Sequence, residues 1–354
     1  MLMGIYYTFK TIVLPNKPIF FTGLNILFLM FVLYGVVLLF CDNHYIIRYS
    51  GAEVSNSSFL KSIFLSIPNI YSFYYFSRKG FLTEPKKWIV VYMLASVFIF
   101  FDYKMTIIHK LLLEGTAVDE VTNNIGYLFV ALIPTVAVFK NKNIIQYGLL
   151  IFCMVFIVIG MKRGAILVGV LSILYFLYFN FRYHRSISKV KVLIFSMLIA
   201  LAGVYMVIYM MDTSDYFTQR IIQTENGGLS GRDYIYECFW NHFKNEMNTF
   251  KFLFGNGANA TLDIGINYAH NDWLEIAINQ GVFGLLIYAF YWLCFYKTIR
   301  QTKQNLFAKL VLTLVFISFF IMTLFSMSYT EYSIYSCTVF GYYLAHCREV
   351  EIPQ

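Results

Sequence analysis

A histidine and an asparagine, followed at a fixed distance by two glycines, form the part of this sequence best suited to chemistry. His270-Asn271 precedes Gly281 by nine residues, and Gly284 follows after two more. The histidine lies where a long polar segment meets an apolar stretch, just outside the predicted start of a helix. The positive end of the helix dipole favours a neutral imidazole there, which is the form a general base requires. The alternative is a solvated loop histidine.

The residues after this histidine predict how the helix begins and packs. Asp272 is expected to cap the helix, and Glu275 three residues later would complete a capping-box pair. Gly281 and Gly284 fall on one face of the helix, where small residues let neighbouring helices approach closely. Such packing is common, so the two glycines alone do not indicate catalysis.

Four cationic side chains could bind an anion. Arg163 and Lys162 lie in a tight turn between two apolar runs, and Arg163 opens the pattern Arg163-x-x-x-Leu167. Arg232 begins a predicted helix of the long polar segment, and Arg220 lies earlier in that segment. A guanidinium is permanently charged and matches phosphate oxygens in two-point contacts. The alternative to anion binding is, for Arg163, a side chain at the membrane interface that extends toward water. For Arg232 and Arg220, it is a solvated side chain of the loop.

The acidic residues and the cysteines indicate no metal site. Asp233, Glu237 and Asp272 could bind a metal or pair with the arginines, but their spacing matches no metal signature. The six cysteines have no metal-site spacing, and most lie in or beside apolar runs. We therefore predict a metal-independent protein without cofactors or a disulfide framework.

The composition is that of a polytopic membrane protein. Of the 354 residues, 59% are hydrophobic and only 13% are charged, and the mean hydropathy is +0.64. These values exclude an ordinary soluble domain. The net charge of +8 is spread over short loops between apolar spans, so nucleic acid is not expected as a partner.

The apolar runs predict an all-α bundle of about ten transmembrane helices, with nine or eleven also compatible. Residues 103–120 could form a surface helix, and Asp233 to Phe254 is predicted to be helical. The chain is divided into helices 1–3 with the surface segment (1–120), helices 4–7 (121–211), a large loop (212–271) and helices 8–10 (272–354). The predicted spans are 19–41, 59–76, 88–102, 121–139, 144–161, 164–181, 192–211, 272–296, 310–327 and 332–346.

The distribution of Lys and Arg predicts that both termini are cytoplasmic. In that orientation the cytoplasmic segments hold 17 of the 27 basic residues and three acidic ones. Residues 212–271 then lie outside the cytoplasm as one large helical periplasmic loop, and the Lys162-Arg163 turn lies on the same side as His270. The two cations of this turn have no acidic neighbour and break the rule that basic residues stay cytoplasmic. Because a charge deep in a span costs about 2.5–3.5 kcal/mol on insertion scales, we expect a compensating partner for Arg163, such as a bound anion.

These motifs resemble a known superfamily. The pattern His270-Asn271, nine residues, Gly281, two residues, Gly284 resembles that of O-antigen ligases, O-antigen polymerases and related bacterial O-oligosaccharyltransferases. Arg163-x-x-x-Leu167 resembles the arginine motif of the ligases and polymerases. The order of a large periplasmic loop, the histidine and a few final spans is also similar. The resemblance covers about residues 121–345.

The resemblance implies a GT-C-like glycosyltransferase of the bacterial inner membrane, with its active site at the periplasmic face. Its substrate would be an undecaprenyl-diphosphate-linked oligosaccharide, whose diphosphate is held by periplasmic arginines. Arg163 matches one of these by motif and Arg232 by its place in the loop. His270 would activate the acceptor hydroxyl. Membrane lipids, a chain-length regulator and a flippase are the expected partners.

The polymerases and the ligases of the superfamily differ in the acceptor of the glycan. A flippase or transporter of lipid-linked glycan is a further possible function. A polymerase extends a lipid-linked repeat unit, whereas a ligase transfers the glycan to lipid A–core, or in a related group to protein. The short chain, rich in Phe (37) and Tyr (29), favours a polymerase of O-antigen or capsule polysaccharide. Such a flippase or transporter would concentrate ionisable residues near the midplane of its spans. In this sequence the spans are almost free of charge and polar residues gather at one outer face, which favours an enzyme at the membrane surface.

Overall fold

The structure is a computed structural model, and it describes most of the chain. Nearly all the described residues are helical, and the sheet among them is one two-stranded antiparallel hairpin, in which Tyr45 pairs with Val54. The prediction of an all-α membrane protein is therefore confirmed. The described residues are 2–41, 45–47, 51–82, 85–113, 125–139, 143–160, 162–183, 189–213, 218, 221–222, 232–265, 267–326 and 334–348.

The described residues form α-helices, one hairpin and one π-helical turn, His242–Glu246. The hairpin consists of β1 (Tyr45–Ile47) and β2 (Ala52–Val54). The α-helices are α1 (Leu2–Ile12), α2 (Phe20–Leu39), α3 (Asn56–Arg78), α4 (Pro85–Leu113), α5 (Ile125–Val130), α6 (Ile133–Val136), α7 (Asn143–Ile159), α8 (Arg163–Tyr183), α9 (Lys189–Thr213), α10 (Arg232–Asn241), α11 (Thr249–Phe254), α12 (Thr261–Ile264), α13 (Asp272–Gln301), α14 (Leu306–Met322) and α15 (Ile334–Ala345).

Five of the described helices are long and apolar enough to cross a membrane. They are α2, α4 over Lys87–Thr106, α8, α9 and α13. The segments Ile125–Val136, Ile144–Ile159 and Leu306–Met322 are shorter and also apolar. The number of ten crossings, the orientation and the division into four segments stay predictions.

Several predicted elements differ from those observed. Helix α4 continues through 103–113, so this part of the predicted surface helix is continuous with the preceding helix. The fourth predicted span is divided into α5 and α6, because Pro134 has no N–H to donate to the turn before it. The hairpin was not predicted. The predicted loop helix is interrupted at Met247, where the chain becomes extended.

One compact unit contains residues 1–81, 229–305 and 319–354. Within it, α2 and α13 pack closely at Gly23. A Cβ at this position would lie only 2.8 Å from the Cα of Tyr291, so the close approach depends on glycine. The Phe20 ring packs edge-on against Phe295 at 5.1 Å between ring centroids. The Tyr34 hydroxyl of α2 donates to the carbonyl oxygen of Phe254, which ties the loop helix α11 to this bundle.

The second unit contains residues 82–228 and 306–318. Its core is aromatic: the rings of Phe129 and Phe156 stack at 4.7 Å, and Tyr147 stacks on Phe195 at 4.3 Å. The beginning of α5 lies against the connection between α7 and α8, where Gly126 and Gly160 allow close backbone contact.

Candidate functional site

The helix that follows the histidine is capped by Asn271. Its Oδ1 accepts hydrogen bonds from the backbone N–H groups of Trp273 at 3.0 Å and Leu274 at 3.1 Å. The prediction that Asp272 is the cap is wrong. Asp272 lies one residue inside the helix, fully buried, where its carboxylate accepts from the Tyr288 hydroxyl at 2.7 Å. Asn271 and Asp272 can both cap a helix, and here Asn271 is the cap while Asp272 binds a tyrosine sixteen residues further along the chain.

His270 lies immediately before this cap in an unusual backbone conformation. Its φ angle is 50°, in the left-handed region that side chains bearing a Cβ seldom adopt. The preceding Ala269 is fully buried in an apolar cluster with Ile235, Phe239 and Ile278, which joins α10 to the first turns of α13. The histidine is thus held between a buried residue and a helix cap.

A short segment after α14, residues 323–325, provides hydrogen-bond acceptors to the histidine motif. The carbonyl oxygen of Thr323 accepts from the Asp272 amide at 2.8 Å. The next carbonyl, that of Leu324, accepts from Asn271 Nδ2 at 3.0 Å. The third, that of Phe325, accepts from Arg232 Nη1 at 2.9 Å. Three consecutive carbonyls thereby fix the start of α13 and the first residue of α10.

Tyr236 links Arg232 with His270. Its hydroxyl lies 3.3 Å from the carbonyl oxygen of His270 and 3.5 Å from that of Leu324. Burial raises the pKa of Tyr236 against the opposing effect of the Arg232 charge, so the phenol remains protonated and donates to these carbonyls. The structure therefore brings together two of the predicted site residues through a tyrosine that the sequence did not single out.

The acid predicted to belong to a capping box has another role. Glu275 is fully buried and accepts three hydrogen bonds: from Thr261 Oγ1 at 2.6 Å, Asn279 Nδ2 at 2.9 Å and the Ala269 amide at 2.8 Å. A capping box would instead direct this carboxylate to the amide of the cap residue. The third bond connects the acid to the residue just before His270.

The first glycine of the motif, Gly281, marks a break in α13. Gly281 has φ 68° and ψ −163°, so the helix is interrupted there. Two carbonyl groups just before the break accept hydrogen bonds from backbone amides of the loop. The Ile278 carbonyl accepts from the Asn256 amide at 2.9 Å, and the Asn279 carbonyl accepts from the Gly257 amide at 3.0 Å. A Cβ on Gly281 would lie 2.5 Å from the Gly255 nitrogen.

This geometry corrects the expectation that the glycine pair serves helix–helix packing. The close neighbours of Gly281 are loop backbone atoms, and a Cβ on Gly284 would contact Gln280 Cβ of the same helix at 2.3 Å. The nine residues 272–280 form the helical segment between the histidine and the break. The spacing of the motif is thus the length of that segment. A Gly-Asn-Gly sequence such as Gly255-Asn256-Gly257 indicates a turn and not the partner that the turn will bind.

The second group of cationic residues lies in the other compact unit. Arg163 is the first residue of α8, and the carbonyl oxygen of Lys162 accepts from the Ile166 amide at 3.0 Å, which begins the helix. Both side chains are half-buried, whereas Leu167 is 50% exposed. A helix N-terminus adds backbone N–H groups and a partial positive charge to that of the arginine. Arg220 lies outside the described residues.

The described residues contain no group of three or more His, Cys, Asp or Glu side chains placed to hold a metal ion. The histidine site offers an imidazole from His270 and a guanidinium from Arg232. Such a set can accept a proton and stabilise negative charge.

The fold and this site define a polytopic helical membrane protein with a histidine motif at the start of a broken helix. Residues 148–289 match the family model of the O-antigen ligases. The match contains the Arg163 turn, the loop and the complete motif through Gly284, and it confirms the resemblance to the O-antigen polymerase and ligase superfamily over this region. No match to a curated protein was found.

Proposed function

We propose that this chain is a glycosyltransferase that transfers an undecaprenyl-diphosphate-linked glycan onto a second lipid-linked repeat unit, as an O-antigen or capsule polymerase. The observation that carries the proposal is the placement of His270. It lies in a left-handed conformation beside the cap of α13, and Tyr236 connects its carbonyl to Arg232. Unfavourable backbone conformations of this kind cost of order 1–3 kcal/mol and cluster at functional sites.

The imidazole of His270 would act as the general base. The acceptor hydroxyl gives its proton to the neutral imidazole, and its oxygen attacks the anomeric carbon of the donor glycan. The bond between that carbon and the diphosphate oxygen breaks, and the lipid diphosphate leaves with the electron pair. The proton passes from the imidazolium to solvent. A positioned base of this kind contributes about 10²–10⁴-fold in rate.

The arginines would stabilise the charge that grows on the leaving diphosphate. A guanidinium has five N–H donors, so the bond from Arg232 to the Phe325 carbonyl leaves others for phosphate oxygens. Arg163, the first residue of α8, and the neighbouring Lys162 are proposed for diphosphate binding from the arginine motif alone. Arg220 is proposed for the same role from its place in the loop. The prenyl tail of the donor explains why such an enzyme lies in the membrane.

The alternative within the same chemistry is a ligase, whose acceptor is lipid A–core or a protein hydroxyl. The description of the matching family favours this candidate. The compact, aromatic-rich chain favours the polymerase. A flippase of lipid-linked glycan is the candidate from another class. We further propose a periplasmic orientation of the site, with a chain-length regulator and a flippase as protein partners.

The decisive experiment is His270→Ala in the native host, with lipopolysaccharide or capsule resolved on a gel. Loss of a polymerase leaves core that carries one repeat unit. Loss of a ligase leaves bare core, with long chains accumulating on the lipid carrier. His346→Ala, at the end of α15, is the matched control and should leave the ladder intact. An unchanged ladder in His270→Ala, with the protein present in the membrane, contradicts a catalytic histidine.

A further inference from the structure

The carboxylate of Glu275 is fully buried in the first turns of α13 and is not among the residues that carry the proposed chemistry. We propose that it is a positioning residue that holds the backbone turn bearing His270. The inference rests on the proposed function, because it assigns Glu275 a role in presenting the imidazole to the acceptor hydroxyl. It extends that function to a residue outside the histidine–glycine pattern.

Two of the three hydrogen bonds to Glu275, those from the Ala269 amide and from Asn279 Nδ2, require an acceptor. Oε1 accepts from Thr261 Oγ1 and Asn279 Nδ2, and Oε2 accepts from the Ala269 amide. An amide N–H and an amide NH₂ can only donate, and an ionised carboxylate can only accept. The three partners are neutral, and the carboxyl group also lies near the positive end of the helix dipole. The site therefore fits a carboxylate and not its amide isostere.

His270 lies between two anchored residues, one on each side. The Ala269 amide is bonded to Glu275 at 2.8 Å, and Asn271 caps α13 through two bonds to backbone amides. Between them, His270 keeps its φ of 50°. Because this conformation is disfavoured, it persists only where its surroundings hold it. Without the bond from Ala269, the turn is free to relax and to carry the imidazole away from its working position.

Glu275 also connects this turn to an earlier part of the loop, at Thr261. Asn279, which donates to the acid, uses its Oδ1 to accept from the Thr261 amide at 3.2 Å. Thr261 opens the short helix α12 and donates its hydroxyl to the same acid. Glu275, Thr261 and Asn279 thus form a closed set of hydrogen bonds. One carboxylate holds the loop, the helix and the histidine turn together.

The test is Glu275→Gln in the full-length protein, purified in detergent and assayed for glycan transfer from a lipid-diphosphate donor. A glutamine has one acceptor oxygen and one NH₂, so in either orientation a donor faces a donor. We expect kcat to fall on the order of 10²-fold, as small displacements of a catalytic group do, while KM for the donor changes little. Glu275→Asp, which keeps the carboxylate, should retain more activity than Glu275→Gln. Glu237→Gln, an exposed acid of the same loop, is the matched control.

The second readout is hydrogen–deuterium exchange of the peptide that spans residues 267–271. Loss of the acceptor for the Ala269 amide should accelerate exchange there in Glu275→Gln and not in Glu237→Gln. Unchanged exchange, or unchanged kcat, overturns the proposal. If Glu275→Gln does not accumulate in membranes, Thr261→Val removes one donor more gently, and it should lower kcat and speed exchange to a smaller degree. No effect of Thr261→Val on either readout then contradicts the proposal.

These outcomes separate the two proposals. If His270→Ala is fully active, the proposed function fails, and the exchange of Glu275→Gln still decides whether the acid holds the turn. If His270→Ala is inactive and Glu275→Gln behaves as the wild type, only the positioning role fails.

Discussion

The backbone N–H of Gly257 donates a hydrogen bond to the carbonyl oxygen of Asn279 at 3.0 Å, two residues before α13 breaks at Gly281. The loop thereby supplies the donor that the broken helix has lost. The same helix segment begins at the Asn271 cap beside His270. The loop, the break and the histidine are consequently parts of one structural arrangement. A substitution in any one of them should alter the structure of the other two.

A Gly281→Ala substitution should disrupt this arrangement. The added Cβ would lie 2.5 Å from the Gly255 nitrogen and 2.6 Å from the Leu253 carbonyl carbon, at a φ of 68°. Backbone strain of this kind costs of order 1–3 kcal/mol. We expect a lower apparent unfolding temperature in detergent and less glycan transfer. Gly148→Ala in α7, where the added methyl group meets nothing within 4 Å, is the control, and equal behaviour of the two variants would contradict the account.

The cap residue can be tested with two substitutions that separate its contacts. Asn271→Ala removes the acceptor for two backbone amides and should cost about 1 kcal/mol of stability. Asn271→Asp keeps the cap but loses the bond from Nδ2 to the Leu324 carbonyl. We expect Asn271→Asp to unfold near the wild-type temperature and to show a raised KM for the anionic donor. A wild-type unfolding temperature for Asn271→Ala would argue against the cap.

Tyr236→Phe tests the connection between Arg232 and His270. The ring stays packed against the apolar cluster, whereas the hydroxyl contacts with the His270 and Leu324 carbonyls and with Arg232 are lost. A neutral hydrogen bond is worth about 0.5–1.5 kcal/mol, so stability should fall modestly while kcat falls further. Tyr234→Phe, on the same helix with a 64% exposed side chain, should leave kcat unchanged. A kcat for Tyr236→Phe equal to that of the control excludes the linking role.

Arg163→Lys tests two-point recognition of the diphosphate. Lysine keeps the positive charge and loses the planar pair of donors. The expected result is a raised KM for the lipid-diphosphate donor, with the protein folded. Arg182→Lys, at the other end of α8, is the matched control because the helix and the type of change are the same. Full activity of Arg163→Lys would contradict the two-point contact.

The helices were predictable because apolar runs of membrane length leave few other structures. The start of the loop helix α10 at Arg232 also agrees with the sequence. The cap was not predictable, because Asn271 and Asp272 can both cap a helix, and Tyr288 and Thr323 decide between them. The break at Gly281 depends on amides more than twenty positions away, at Asn256 and Gly257. Local patterns carry no information about such partners.

The central claim is that His270 is the base of a glycan transfer from a lipid diphosphate. The most direct measurement is transfer by the purified protein, supplied with an undecaprenyl-diphosphate-linked repeat unit as donor and acceptor, and compared with His270→Ala. The account predicts elongated lipid-linked products with the wild type and a rate lower by about 10²-fold or more with the variant. Elongation by His270→Ala at the wild-type rate, with the variant folded, would contradict it.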